Sequence, residues 1–125
     1  MPRIDFWFDF ASTYSYLSAM RIEALAGAAD VHVRWMPFLL GPVFKAQGWD
    51  TSPFNIYHAK GRHMWRDMER QAARYGLPFK RPREFPQFAL TATRVGGAAR
   101  CDPWLAACCR AVVHREDGVG ESISR

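Results

Sequence analysis

Ser12 is the hydroxyl in this chain best placed to do chemistry, because the pattern of apolar residues changes period beside it. Ile4 to Phe10 is a short apolar, aromatic run bounded by Arg3, which reads as a buried strand. Beyond Ser12, the residues Leu17, Met20, Ile22, Ala24 and Leu25 recur at roughly helical intervals. Ser12 therefore lies where a strand hands over to a helix. The first amides of a helix lack internal partners and carry partial positive charge, so a hydroxyl held there meets an anion with help from backbone donors. Serine before a helix is ordinarily a cap. The two roles are compatible, since a hydroxyl rotates. Tyr14 reads equally as pocket wall or core filler, and Tyr16 as core. Lys45 either neutralises a substrate carboxylate or is a solvated loop lysine, and Trp49 offers a flat surface on which a ligand can pack.

Other chemistries find less support. Cys101, Cys108 and Cys109 are odd in number and crowded, so reduced thiols are expected, and the absence of Cys-x-x-Cys leaves disulfide exchange without its residues. His58 and His63, with those cysteines, supply no pair at structural-zinc spacing, and no metal is expected. The net charge of +5, from 17 basic and 12 acidic residues, is spread from Arg3 to Arg125. The arginines between Arg62 and Arg74 are interrupted by Asp67 and Glu69, which describes a solvated helix face rather than a nucleic-acid patch. A mildly basic surface suits a small anionic ligand. No apolar run approaches the roughly 20 residues of a membrane span, and no signal-like segment opens the chain, so a cytoplasmic protein is expected.

The elements that must position these residues follow in order. A helix is predicted from about Thr13 to Ala26, closing near Gly27, and Val31 to Met36 alternates as a second strand stopped by Pro37. Strand, helix, strand within so short a span is a parallel unit. Phe38 to Trp49 should mix loop with one helical turn, and Ser52-Pro53 is a cap followed by a first-turn proline. Lys60 to Tyr75 is the clearest helix, with Met64, Met68, Ala72 and Tyr75 on one face and Gly76 and Pro78 closing it. Pro78 to Pro86 reads as extended. Phe88, Leu90, Ala92, Val95 and Ala98 suggest a further helix, Asp102-Pro103 opens a last one, and the polar residues from His114 onward read as a disordered tail. The organisation is thus α/β: a β-α-β unit over 1–38, a helical insertion over 39–113 and a tail over 114–125. Two strands make a marginal sheet, which reads as incomplete.

The segment Ser12-Thr13-Tyr14-Ser15-Tyr16-Leu17, placed directly after a strand, resembles the Ser-Pro-Tyr-Ser-(aromatic)-Leu opening of 2-hydroxychromene-2-carboxylate isomerases and kappa-class glutathione transferases, which share a DsbA-like thioredoxin fold. Pro37 to Lys45 is similar to the Pro-Phe-Leu-Leu-Gly-x-Val-Phe-Lys stretch of the isomerases, and Phe54 to Arg62 is also family-like, with His58 at a position where proline is usual. The resemblance spans about residues 4–113 and implies a chain lacking the family's C-terminal part. It implies that Ser12 hydrogen-bonds the sulfur of glutathione, that Thr13, Tyr14 and Trp49 border that cofactor, and that Lys45 faces a small aromatic carboxylate. Thr13 replaces the family's proline, while Trp49 and Phe88 stand where asparagines are usual. The implied activity is a glutathione-dependent isomerisation in aromatic degradation, in which the thiolate adds to a chromene and is later expelled. Homodimerisation is the family habit. Two other readings stay open: a kappa-like glutathione transferase, and an inactive helical binding module.

Overall fold

β1 (Arg3–Phe8) and β2 (His32–Pro37) run parallel, in register from Arg3 opposite His32 to Phe8 opposite Pro37, and α1 (Thr13–Ala28) joins them. This is the strand, helix, strand order that the sequence predicts. The computed structural model describes residues 1–83 together with Phe85, Pro86, Leu90, Thr93 and Arg94. The sheet is two-stranded among the described residues. Its inner face carries Phe6, Phe8, Val33 and Trp35, whose rings meet edge-on at 5.2 Å for Phe6 with Trp35 and 5.5 Å for Phe8 with Trp35. Its outer face is not buried, contrary to the expectation of a buried strand. Trp7 is 57% exposed, and the cross-strand partners Asp5 and Arg34 form a bidentate ion pair there, with Arg34 Nε donating to Asp5 Oδ1 at 2.7 Å. The alternation of Asp5 and Trp7 with Phe6 and Phe8 is the pattern of a strand covered on one side.

Helix α1 ends later than predicted. The Val31 N–H reaches the Ala26 carbonyl at 2.9 Å and the Asp30 N–H reaches that of Gly27 at 3.3 Å, so the left-handed residue is Asp30, with φ of 54°, and Gly27 lies inside the helix. Aspartate is among the few side-chain-bearing residues that visit this conformation readily. The buried face of α1 is Thr13, Tyr16, Leu17, Ala19 and Ala26; Leu25, expected to face inward, is 58% exposed.

Three helices complete the described fold. The loop after β2 leads into α2 (Gly41–Ala46), the short helical turn expected there. Ser52 then caps α3 (Pro53–Ile56), its Oγ accepting from the Phe54 N–H at 3.3 Å. Helix α4 (His58–Arg74) buries Gly61, Met64, Trp65, Met68 and Ala72 and turns its arginines outward. It closes as predicted: Gly76 adopts φ of 65°, and the Leu77 N–H bonds the Ala72 carbonyl at 2.9 Å. Residues after α4 fold back along it, with Arg81 4.6 Å above the Trp65 ring, Phe85 5.0 Å from that ring, and the Asn55 amide donating to the Phe85 carbonyl at 2.7 Å.

Leu90, Thr93 and Arg94 are helical, and Arg94 is exposed. The rest of the helix expected around Phe88 to Ala98, the helix from Asp102, the three cysteines and the tail from His114 lie outside the described residues. Among the described residues no helix is long and apolar enough to cross a membrane.

Candidate functional site

The corner between β1 and α1 is built on apolar anchors. Phe8 and Phe10 are buried, fixing the chain on either side of Asp9, and their rings pack edge to face at 5.0 Å. Asp9 Oδ1 accepts from the Ala11 N–H at 2.7 Å, and the Asp9 carbonyl accepts from the Ser12 N–H at 3.1 Å, turning the strand into the helix within three residues. Ser12 arrives with extended backbone, φ −83° and ψ 123°, and its Oγ accepts from the Ser15 N–H at 3.3 Å. Capping occupies a lone pair of that oxygen and leaves its hydrogen free to donate. The amides of Thr13 and Tyr14, in the first turn, have no acceptor within the helix.

Ser12 opens on a cleft of about 650 Å³. That size falls in the range of about 300–1,000 Å³ typical of small-molecule sites. The corner itself contributes Asp9, Ala11, Ser12 and Thr13. The β2–α2 loop and α2, joined to the corner through the Leu40 N–H and Asp9 Oδ2, add Leu39, Leu40, Phe44 and Lys45, and the remainder comes from Trp49 to Ser52, Phe54, Phe85, Pro86 and Leu90. Trp49 leans on Phe44 at 5.9 Å between ring centroids, while Lys45, in the last turn of α2, is exposed at the rim. The cleft therefore gathers one hydroxyl, a helix N-terminus, aromatic rings and a cation.

The fold brings Ser12, Thr13, Lys45 and Trp49 to this one cleft. Thr13 contributes backbone rather than hydroxyl, because its Oγ1 is buried and donates to Met64 Sδ at 3.4 Å. Tyr14 is not among the lining residues. Its ring tilts against Phe54 at 6.4 Å and its hydroxyl donates to Asp67 Oδ2 at 2.7 Å on α4. Partial burial, and then the bond to Asp67, push the Tyr14 hydroxyl up to about 12, so it remains protonated at neutral pH. The same bond holds the Asp67 carboxyl below its usual range. Tyr16 is core, as expected, and donates to the Pro78 carbonyl.

Sequence reasoning passed over Asp9, which lines the cleft and is only 6% exposed. The signal was present, since an acid stands between the two aromatic residues Phe8 and Phe10. Among the described residues no three of His, Cys, Asp and Glu gather where they could hold a metal ion.

Residues 3–101 match the model of the DSBA-like thioredoxin domain. The chain belongs to that family. It is 34% identical over 89 residues to glutathione S-transferase kappa 1 of Caenorhabditis elegans, a match covering 70% of this chain and 38% of that protein. It is also 34% identical over 83 residues to 2-hydroxychromene-2-carboxylate isomerase of Sphingobium xenophagum, covering 66% of this chain and 42% of the relative. The solved structure of a 2-hydroxychromene-2-carboxylate isomerase superposes with a TM-score of 0.70 at 26% identity, over 88% of this chain and 55% of that one. This DsbA-like chain spans about two fifths of the length of the curated relatives it matches.

Proposed function

We propose that this chain carries the thiol-activating corner of a glutathione-dependent isomerase of the 2-hydroxychromene-2-carboxylate type, with Ser12 holding the glutathione sulfur as thiolate. The observation that carries this reading is the Ser12 hydroxyl, whose capping bond uses a lone pair and spares its hydrogen, facing a cleft of ligand size at the start of α1. A free thiol with pKa of about 8.5 is mostly protonated at neutral pH. The Ser12 O–H and the orphan amides of Thr13 and Tyr14 would favour the charged form, as donors to an anion do. Glutathione, when bound, supplies the sulfur nucleophile and is regenerated at the end. Lys45 draws a substrate carboxylate to the rim, and Phe44 and Trp49 receive its aromatic ring. In this reading residues 1–38 form the thioredoxin-like unit, and the helical insertion 39–113 supplies the rest of the cleft.

A kappa-like glutathione transferase is the second reading, favoured by the similarity to the Caenorhabditis elegans protein. There the thiolate stays bonded to product. One pair of measurements tests both. Thiolate absorbance of glutathione titrated with the protein should show a depressed thiol pKa, and turnover of a chromene carboxylate should leave the glutathione concentration unchanged. Consumption of glutathione would select the transferase. Absence of any glutathione binding by a cooperatively folded chain would overturn both and favour a binding module without this chemistry.

A further inference from the structure

Asp9 is a buried carboxylate on the wall of the cleft that the chemistry above leaves unused. All four of its polar groups are engaged. Its carbonyl accepts from Ser12 N–H at 3.1 Å, its own N–H points to Ser15 Oγ at 3.4 Å, and Oδ1 accepts from Ala11 N–H at 2.7 Å. These three bonds fold the corner upon itself. The fourth leaves it: Oδ2 accepts from the Leu40 N–H at 2.7 Å, 31 residues along the chain. Leu40 is the residue that opens α2, the helix bearing Lys45.

An ordinary Asx turn would need only Oδ1. Burying the charge is costly unless amides compensate it, and a carboxylate lining a cleft proposed for an anion opposes that anion. Charge alone therefore gives no reason for aspartate here, whereas the geometry does, because a side chain with two acceptor oxygens gives the Ala11 amide of the corner and the Leu40 amide of α2 one oxygen each. We infer that Asp9 is a positioning residue, a clamp that fixes the Ser12 corner against the opening of α2 and so sets the mouth in which a thiol meets the Ser12 hydroxyl. This rests on the glutathione reading above.

The test uses the whole chain and two substitutions. Asp9→Asn leaves one acceptor oxygen for two amides. Leu40→Pro removes the Leu40 N–H donor, together with a leucine side chain that lines the cleft, at a residue whose φ of −79° suits proline. Two readouts are taken: the pKa of bound glutathione from thiolate absorbance, and hydrogen exchange at the Ala11 and Leu40 amides. In both variants the bound thiol pKa should rise by about one unit, a tenfold loss of thiolate below that range, while melting stays cooperative. A lowered pKa in Asp9→Asn with no change in Leu40→Pro would mean that charge dominates, and would overturn the clamp. Unchanged pKa values in both variants would overturn it equally. Should the wild-type chain bind no glutathione, the functional reading falls, and the clamp is decided by exchange alone. Loss of Leu40 protection in Asp9→Asn sustains it, and protection equal to wild type overturns it.

Discussion

Tyr14 donates its hydroxyl to the Asp67 carboxylate across 2.7 Å, tying the first turn of α1 to the middle of α4. Partial burial and this bond raise the tyrosine to about 12 from an ordinary 10.0, and the bond lowers the aspartate. The two ends depend on pH with opposite signs. A raised tyrosine stabilises fully below its unfolded pKa and loses that contribution as pH climbs from about 10 to about 12. A lowered aspartate stabilises fully above the ordinary carboxylate range and loses its share as pH falls through and below it. Tyr14→Phe removes the tyrosine's ionisation and the largest cause of the aspartate's lowering, leaving the smaller contributions of Gln71, His63 and Arg70. The gap in melting temperature between wild type and Tyr14→Phe should be constant through neutral pH and narrow at both extremes. A gap equally wide above the tyrosine range would show that the bond does not couple folding to ionisation.

Two substitutions of Ser12 separate its cap from its chemistry. Replacing a serine cap by alanine costs about 1 kcal/mol, whereas glycine costs only a few tenths. Both remove the hydroxyl. Glutathione-dependent turnover should therefore fall in both, by roughly 10²-fold as when one oxyanion donor is lost. Thermal stability should fall clearly only in Ser12→Ala. A Ser12→Gly chain with wild-type turnover would reduce this residue to a cap.

Gly61 sets two physical effects against each other. Helix propensity favours alanine over glycine inside α4 by roughly 0.5–1 kcal/mol. A Cβ there would, however, press into the backbone carbonyl of Phe54 on α3, which has no rotamer by which to move aside. The clash should win, since overpacking typically costs about 1–3 kcal/mol. Gly61→Ala is expected to lower the urea midpoint, and because Phe54 lines the cleft it should also weaken ligand binding. A raised midpoint would show that α3 and α4 separate freely.

Local signals in the sequence carry most of this fold, and long-range pairings carry the rest of the site. The β1, α1, β2 unit, the Ser52-Pro53 start and the Gly76 stop were legible because each is a local signal: a period of two, a period near 3.6, a cap or a left-handed glycine. Ser12 was legible because it sits at a change of period. The end of α1 was misplaced because a glycine at position 27 outweighed an aspartate at position 30, although Asp30 takes the left-handed turn. The pairing of Tyr14 with Asp67 joins residues 53 apart, and that of Asp9 with Leu40 residues 31 apart. Contacts of that kind leave no periodic trace. Only the oddity of an acid within an aromatic run hinted at the second.

Lys45 gives the sharpest statement about what the cleft selects. Its ammonium stands exposed in the last turn of α2, beside the aromatic residues Phe44 and Trp49 of the cleft, and Asp50 lines the same cleft with opposite charge. For an exposed pair about 4 Å apart, attraction in water is about 1 kcal/mol, or roughly fivefold in affinity. Lys45→Met should therefore weaken binding of an aromatic carboxylate about fivefold and leave its neutral carboxamide analogue unaffected. Raising salt should erode the preference of the wild-type chain for the carboxylate, because rim charges are screened. In Lys45→Met there should be little preference left to erode. Calorimetry of the two ligands at low and high salt reads all four quantities, and equal discrimination by both chains would place carboxylate recognition elsewhere than Lys45.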